Sequence, residues 1–235
     1  MSSKDKFFYK VKHAVAVFIS CFRRPGRFSI YNYPRQAALS RLKSAKDGVI
    51  LDIGCGTRKL SEDVIAVDLN PGKFVDVAAN AEHLPFEKET CDGIWMEALL
   101  EHVAHPSKVL AEAARVLKPG GWLYVEVPFL QGEHAAPGDY RRWTQQGLLQ
   151  LFEPWKVDWI DISSGPFSAL AYQLRSCLSI MTSFGSNLVY RVMNEAVWSY
   201  VVWPIKFLDV VCRRFPYSNA HAFGYAVMLT KMQPK

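Results

Sequence analysis

The sequence predicts an α/β protein built on a mostly parallel sheet of seven strands, and three observations carry that expectation. Short apolar, β-branched runs recur at 49–53, 63–68, 74–78, 91–96, 121–127, 156–162 and 222–230, separated by glycine-rich turns or by stretches of helical spacing. The first run breaks into Gly54-Cys55-Gly56, and the second ends in Asp68, sixteen residues after Asp52. Apolar run, glycine turn, apolar run and acid is the order in which a Rossmann-like sheet presents a nucleoside-bearing ligand. Finally, half of the 235 residues are apolar, enough to bury one large core.

Taken in order, residues 5–22 read as a helix with Phe7, Val11, Ala14, Val15, Phe18 and Phe22 on one face. Its rim is rich in lysine, so packing on its own domain and anchoring in a membrane interface are both open. Pro25-Gly26 ends it, and a second helix is expected from Pro34 to Ala45. Only nine residues, 54–62, join the first two strands, near the lower limit for a parallel crossover. Asn70-Pro71-Gly72 leaves room for a turn alone before the third. This half of the sheet needs cover from elsewhere, and the N-terminal helices are the candidates. Helices are expected near 97–104, 107–117 and 144–153, with Lys118-Pro119-Gly120-Gly121 stopping the second and turning into the next strand.

Residues 165–215 leave the alternating pattern. They are rich in Leu, Val, Phe, Trp and Tyr, with helices expected at 168–183, 187–203 and 204–213, the last two parted by Pro204. Core-building, a membrane-facing or lipid-binding cap and a homo-oligomer interface are all open for them. The organisation expected is therefore N-terminal helices over 1–45, a ligand-binding core over 46–164, an apolar insertion over 165–215 and a completing strand over 216–235.

The net charge of +6 is uneven: +9 over residues 1–43, −8 over 44–164 and +5 over 165–235. Basic and apolar flanks suit a peripheral site on an anionic membrane better than nucleic acid, for which no binding motif is present. Glu101 and Glu112 read as solvated helix charges. Five scattered cysteines without a CxxC pair argue against a disulfide framework or zinc site, and no metal is expected. They fit a reducing, cytoplasmic setting. No run reaches the 18–20 or so uninterrupted apolar residues of a spanning helix.

Five stretches carry a resemblance: LDIGCGT at 51–57, AVDLNP at 66–71, NAEHLPFEKETCDGI at 80–94, LLEHVAHPSKVLAEAARVLKPGGWLYVEVP at 99–128 and HAAPGDYRRWTQQGL at 134–148. In this order they resemble the class I S-adenosylmethionine (SAM)-dependent methyltransferases of the type 11 group. The resemblance implies a sheet whose last strand is antiparallel, and SAM as cofactor. It implies that Asp52, Gly54, Cys55 and Gly56 line the methionine end, that Asp68 accepts the ribose hydroxyls and that Leu69 packs beside adenine. Asn80 and Ala81 would read the adenine edge, and Glu97 would help enclose the methionine portion. Two departures stand out. Arg58 occupies the region of the family's third glycine, and Asn80 replaces the usual acid.

Methyl transfer to oxygen or nitrogen needs a base near the acceptor. His102 follows the fourth strand. His134, with Asp139 and Tyr140, belongs to the loop after the fifth, and Thr144 reads as a helix N-cap. These are the candidate catalytic groups. The H-x-x-P-x-D-Y stretch resembles methyltransferases of surface-glycan and lipid-linked glycan synthesis, which implies O-methylation of a small-molecule or lipid-linked acceptor at the cytoplasmic membrane face. The rival reading is a non-catalytic binding or scaffold protein that keeps the core.

Overall fold

The computed structural model describes residues 33–44, 48–134, 138–212 and 215–233. The helix expected over 5–22 lies outside them. Seven strands form one sheet: β1 (Ile50–Ile53), β2 (Ile65–Asp68), β3 (Val77–Ala78), β4 (Cys91–Glu97), β5 (Leu117–Pro128), β6 (Lys156–Ser164) and β7 (Gly224–Thr230). Their order is β3-β2-β1-β4-β5-β7-β6, with β7 antiparallel to both neighbours and the β1–β5 pairs parallel.

Continuous apolar strands need cover on both faces, and both are covered. On one face α2 (Pro106–Val116) and α3 (Gln145–Leu151) seal a core of Leu51, Ile53, Ile94, Met96, Leu123 and Phe152. Thr144 caps α3, its Oγ1 accepting the Gly147 N–H at 3.1 Å. On the other face α1 (Tyr33–Ser44) lays Ala38, Leu39 and Leu42 against Ile50, Val64, Trp95, Trp122 and Tyr124. The short crossover makes this necessary: residues 54–64 contain no helix, and α1 supplies the missing layer.

Several expectations are corrected. The third strand is two residues rather than five, because β3 pairs only at Val77 and Ala78 on the sheet edge. The helix expected over 97–104 is a single 3₁₀ turn, Leu100–His102. Ala98 has φ 55° and gives its N–H to Glu126 O at 3.0 Å, so the backbone leaves β4 by a left-handed step that no helix can continue. Lys118-Pro119-Gly120-Gly121 is not a turn before the fifth strand but a bulge within it. Leu117 already pairs with Cys91, the register slips before Gly93, and Gly120 (φ +78°) donates to Lys231 O.

Between β6 and β7 runs a helical insertion of α4 (Pro166–Ser183), α5 (Asn187–Val192), a π-helical segment (Met193–Trp198), α6 (Ser199–Val202) and α7 (Leu208–Cys212). The buried carboxylate of Asp209 ties its ends together. It accepts the Phe167 and Ser168 N–H groups at 2.8 and 2.9 Å and the Ser168 hydroxyl at 2.7 Å, capping α4 from a distant helix. Phe184, Leu188, Met181 and Ile180 lie 95, 73, 72 and 63% exposed along this insertion. Among the described residues no helix is long and apolar enough to cross a membrane.

Candidate active site

The carboxyl ends of β1, β2, β4 and β5 lie at one edge of the sheet, where open α/β sheets hold ligands. The loop after β1 turns at Gly54 (φ +79°) and Gly56 (φ +59°), conformations that a side chain resists. The Gly54 N–H donates to Val67 O at 2.8 Å, which locks the loop onto β2. A Cβ on Gly56 would meet nothing within 4 Å, so this backbone faces open space. Asp68 fixes the next corner: Oδ2 accepts the Gly56 N–H at 2.9 Å and Oδ1 the Asn70 N–H at 3.0 Å. Each oxygen keeps a lone pair for a further donor. Beyond it Leu69 is 60% exposed. Asn80 Oδ1 accepts the Glu82 N–H at 2.9 Å, and Ala81 is buried beside it. Burial, then the neighbouring carboxylates, push the Cys55 thiol up to about 11, so it stays protonated and is no nucleophile.

Below the glycine loop a cavity of about 180 Å³ is lined by Arg35, Asp52, Gly54, Arg58, Trp95 and Glu97. Its lining carries both signs of charge, Lys59 included. Glu97 accepts from Arg35 Nε at 3.0 Å and from Arg58 at 2.7 Å, and the Arg35 guanidinium lies over the Trp95 ring at 5.4 Å. Asp52 is only 6% exposed and accepts the Leu60 N–H at 3.2 Å. Burial pushes its carboxyl up to about 6, against the pull of that hydrogen bond. Two carboxylates, two guanidiniums and the Lys59 ammonium thus line one small space, where both the ammonium and the carboxylate of an α-amino acid find opposite charge. The residues fit SAM: an open backbone cradle, a carboxylate at the end of β2 with lone pairs to spare, and a buried acid whose cost a cation would offset. Arg35 was not a sequence candidate. Its role depends on α1 crossing the sheet, which local spacing does not reveal.

A second cluster sits where the exit of β4 meets the loop after β5. Glu101, expected to be solvated, is fully buried, and neither of its carboxylate oxygens has a hydrogen-bond partner. The 3₁₀ turn, unlike the expected helix, points it inward, and burial pushes its carboxyl up to about 7. Glu112 is corrected too, for it accepts the Leu84 N–H and pairs with Arg115. The rings of His102 and His134 meet edge to face, centroids 5.0 Å apart. His102 Nδ1 lies 2.5 Å from Gly138 O, and His134 Nδ1 lies 3.2 Å from Gly132 O and 3.3 Å from Asp139 Oδ2. Asp139 forms a bidentate pair with Arg142 at 2.5 and 2.6 Å, which holds its carboxyl well below the usual range. It acts as an orienting anion, not a proton acceptor. Tyr140 is 60% exposed at the rim of a cavity of about 240 Å³.

The strand order, the glycine loop and the acid after β2 define a class I methyltransferase fold. Residues 51–125, about a third of the chain, match the family described as Methyltransferase domain. It is 47% identical over 58 residues to the mitochondrial 2-methoxy-6-polyprenyl-1,4-benzoquinol methylase of Caenorhabditis elegans, covering 25% of this chain and 20% of that one. It is 44% identical over 87 residues to the ubiquinone/menaquinone biosynthesis C-methyltransferase UbiE of Marinomonas sp. (strain MWYL1), covering 37% and 35%. The chain thus spans about a third or less of these curated relatives. A solved structure, Haemonchus contortus phosphoethanolamine N-methyltransferase 2 with phosphomonomethylethanolamine and S-adenosylhomocysteine, aligns over 84% of this chain and 53% of that one. Its TM-score is 0.52 at 14% identity, a likeness of fold alone.

Proposed function

We propose that this chain transfers the methyl group of SAM to an oxygen-bearing small molecule tethered to a lipid, working at the surface of a membrane. The observation that carries the cofactor half is the cavity of mixed charge beneath an open glycine cradle. SAM, when bound, supplies an electrophilic methyl carbon on a sulfonium. Asp52 and Glu97 would hold the ammonium of its methionine portion, Arg58 the carboxylate, Asp68 the ribose hydroxyls, and Asn80 with Ala81 the adenine edge. The chain's task is to fix the acceptor in line with that carbon and to exclude water. His102 and His134 supply nitrogen atoms on the acceptor side, and Tyr140 lies at its rim.

The acceptor half of the proposal rests on the apolar, exposed helices of the insertion and on the basic flanks. Two relatives are named for methylating benzoquinol or quinone precursors, one of them polyprenylated, which supports a lipid-tethered ring. The H-x-x-P-x-D-Y resemblance supports a lipid-linked glycan and O-methylation instead. Label from methyl-tritiated SAM should appear in the organic phase of a lipid extract incubated with the protein, and hydrolysis that cleaves glycosidic links separates the two. A folded chain that binds no SAM at millimolar ligand in calorimetry would be a scaffold, not an enzyme. Failure to co-sediment with anionic vesicles at low salt removes the membrane part.

A further inference from the structure

We infer that Glu101, His102 and His134 form a binding site for a divalent transition-metal ion of the Zn²⁺ class. The inference gives a second role to the two histidines that the methyl-transfer reading places on the acceptor side, since a metal-bound nitrogen is no base, and it departs from the sequence expectation of no metal. One donor atom from each of the three residues lies within 4.8 Å of the others. His102 Nε2 lies 3.9 Å from Glu101 Oε1. The pairing of chemistries fits the ion: two imidazoles and one carboxylate are the donors of catalytic zinc and of non-haem iron sites.

Three features separate this cluster from an accidental grouping. First, Glu101 is fully buried with both oxygens unpartnered, although buried polar groups are almost always hydrogen-bonded. Arg142, the cation whose field reaches its carboxyl, is committed to Asp139 through both terminal nitrogens. Second, each histidine already has a partner at Nδ1. His102 meets Gly138 O there, and His134 meets Gly132 O and Asp139 at 3.2 and 3.3 Å, with the Arg142 Nη2 donor farther off at 3.4 Å. Donation of Nδ1–H to carbonyl or carboxylate leaves the Nε2 lone pair free, the usual arrangement of a metal-bound histidine. Third, Arg142 holds the orienting Asp139 in place, bonding also to Gln131 O and Gly132 O at 2.9 and 2.8 Å. The loop carrying His134 is thereby braced from beneath.

The distances ask for a small closure. An ion centred among three atoms 4.8 Å apart would sit roughly 2.8 Å from each, against roughly 2.0–2.2 Å for Zn–N and Zn–O bonds. Side-chain rotations that draw each donor in by roughly 0.7 Å complete the site. Three protein ligands leave positions open for water or for an oxygen of a bound molecule. The neighbouring cavity, lined by Gln131, Glu133, Asp139, Tyr140, Arg141 and Arg142, could deliver one.

The test uses the full chain, stripped with a chelator and titrated with Zn²⁺ by calorimetry and with Co²⁺ by visible absorption. Expected are one ion per chain, ligand-field bands from Co²⁺ with nitrogen donors, and a rise in Tm on metal addition. Glu101→Gln and His134→Gln should each lower affinity at least tenfold. Asp139→Asn, which loosens the hold on His134, should cost about 10–100-fold. His83→Gln, at an exposed histidine elsewhere, should bind as the unaltered chain does. The inference is overturned if the unaltered chain takes up no ion, or if Glu101→Gln and His134→Gln both bind as well as it does. Should Glu101→Gln fail to fold, His134→Gln, at a partly exposed loop residue, decides alone.

Discussion

Replacing Asp52 by Asn should stabilise the protein at neutral pH while weakening its hold on SAM. Asp52 is 6% exposed and accepts the Leu60 N–H. Burial raises its carboxyl from 3.8 to about 6. The unfolded chain therefore releases this proton first as pH rises. The stability associated with protonated Asp52 is fully present below about pH 3.8 and is lost as pH climbs through about 6. At about 1.4 kcal/mol per unit, the ionised group costs the fold about 3 kcal/mol at pH 7.5. Asn keeps an oxygen for Leu60 N–H and carries no charge, so Asp52→Asn should gain about 2–3 kcal/mol at pH 7.5 and close to nothing at pH 4. Urea unfolding at the two pH values, read as a midpoint shift at constant slope, measures this. Saturating SAM should narrow the gap, because its ammonium relieves Asp52 in the unaltered chain and finds no charge in the variant. A variant that is less stable at pH 7.5, or equally shifted at both pH values, would refute the assignment of strain to this carboxylate.

Gly56→Ala adds a Cβ that meets no protein atom but forces a residue into φ +59°. It should cost about 1–2 kcal/mol in stability, with a larger loss in SAM affinity by calorimetry, since the new methyl enters the cradle. Asp209→Ala strips three donors of α4 of their acceptor. A loss of about 2–4 kcal/mol is expected, with faster hydrogen exchange over Pro166–Ser183. Phe152→Ala, at a fully buried ring, should cost about 3–5 kcal/mol in chemical unfolding. Arg58→Ala removes an ion pair whose arginine side chain is 69% exposed, so stability should move by less than about 1 kcal/mol while SAM binding weakens.

The strands of the core were legible because an apolar β-branched run reports its own burial, whatever it packs against. The corner at Gly54–Gly56 and the carboxylate of Asp68 were legible for a similar reason, since backbone freedom and a local hydrogen bond are properties of neighbours in sequence. The exit of β4 was not. A single left-handed residue, Ala98, diverts the chain where the pattern read as helix, and nothing in an alanine announces φ 55°. The bulge at Lys118–Gly121 escaped likewise, because proline and glycine mark a turn and a bulge with the same letters.

By itself, then, the sequence determined an α/β sheet, its ligand-binding edge and the methyltransferase resemblance that residues 51–125 carry. Each of these follows from short-range periodicity and glycine placement. Only the tertiary structure decided which charges leave water. It brought Arg35 from α1 to Glu97, buried Glu101 with neither oxygen hydrogen-bonded, and set His102 against His134 across two loops. Desolvation and ion pairing depend on what the rest of the fold places within a few ångströms, and a charged residue looks the same in sequence whether it faces solvent or the interior.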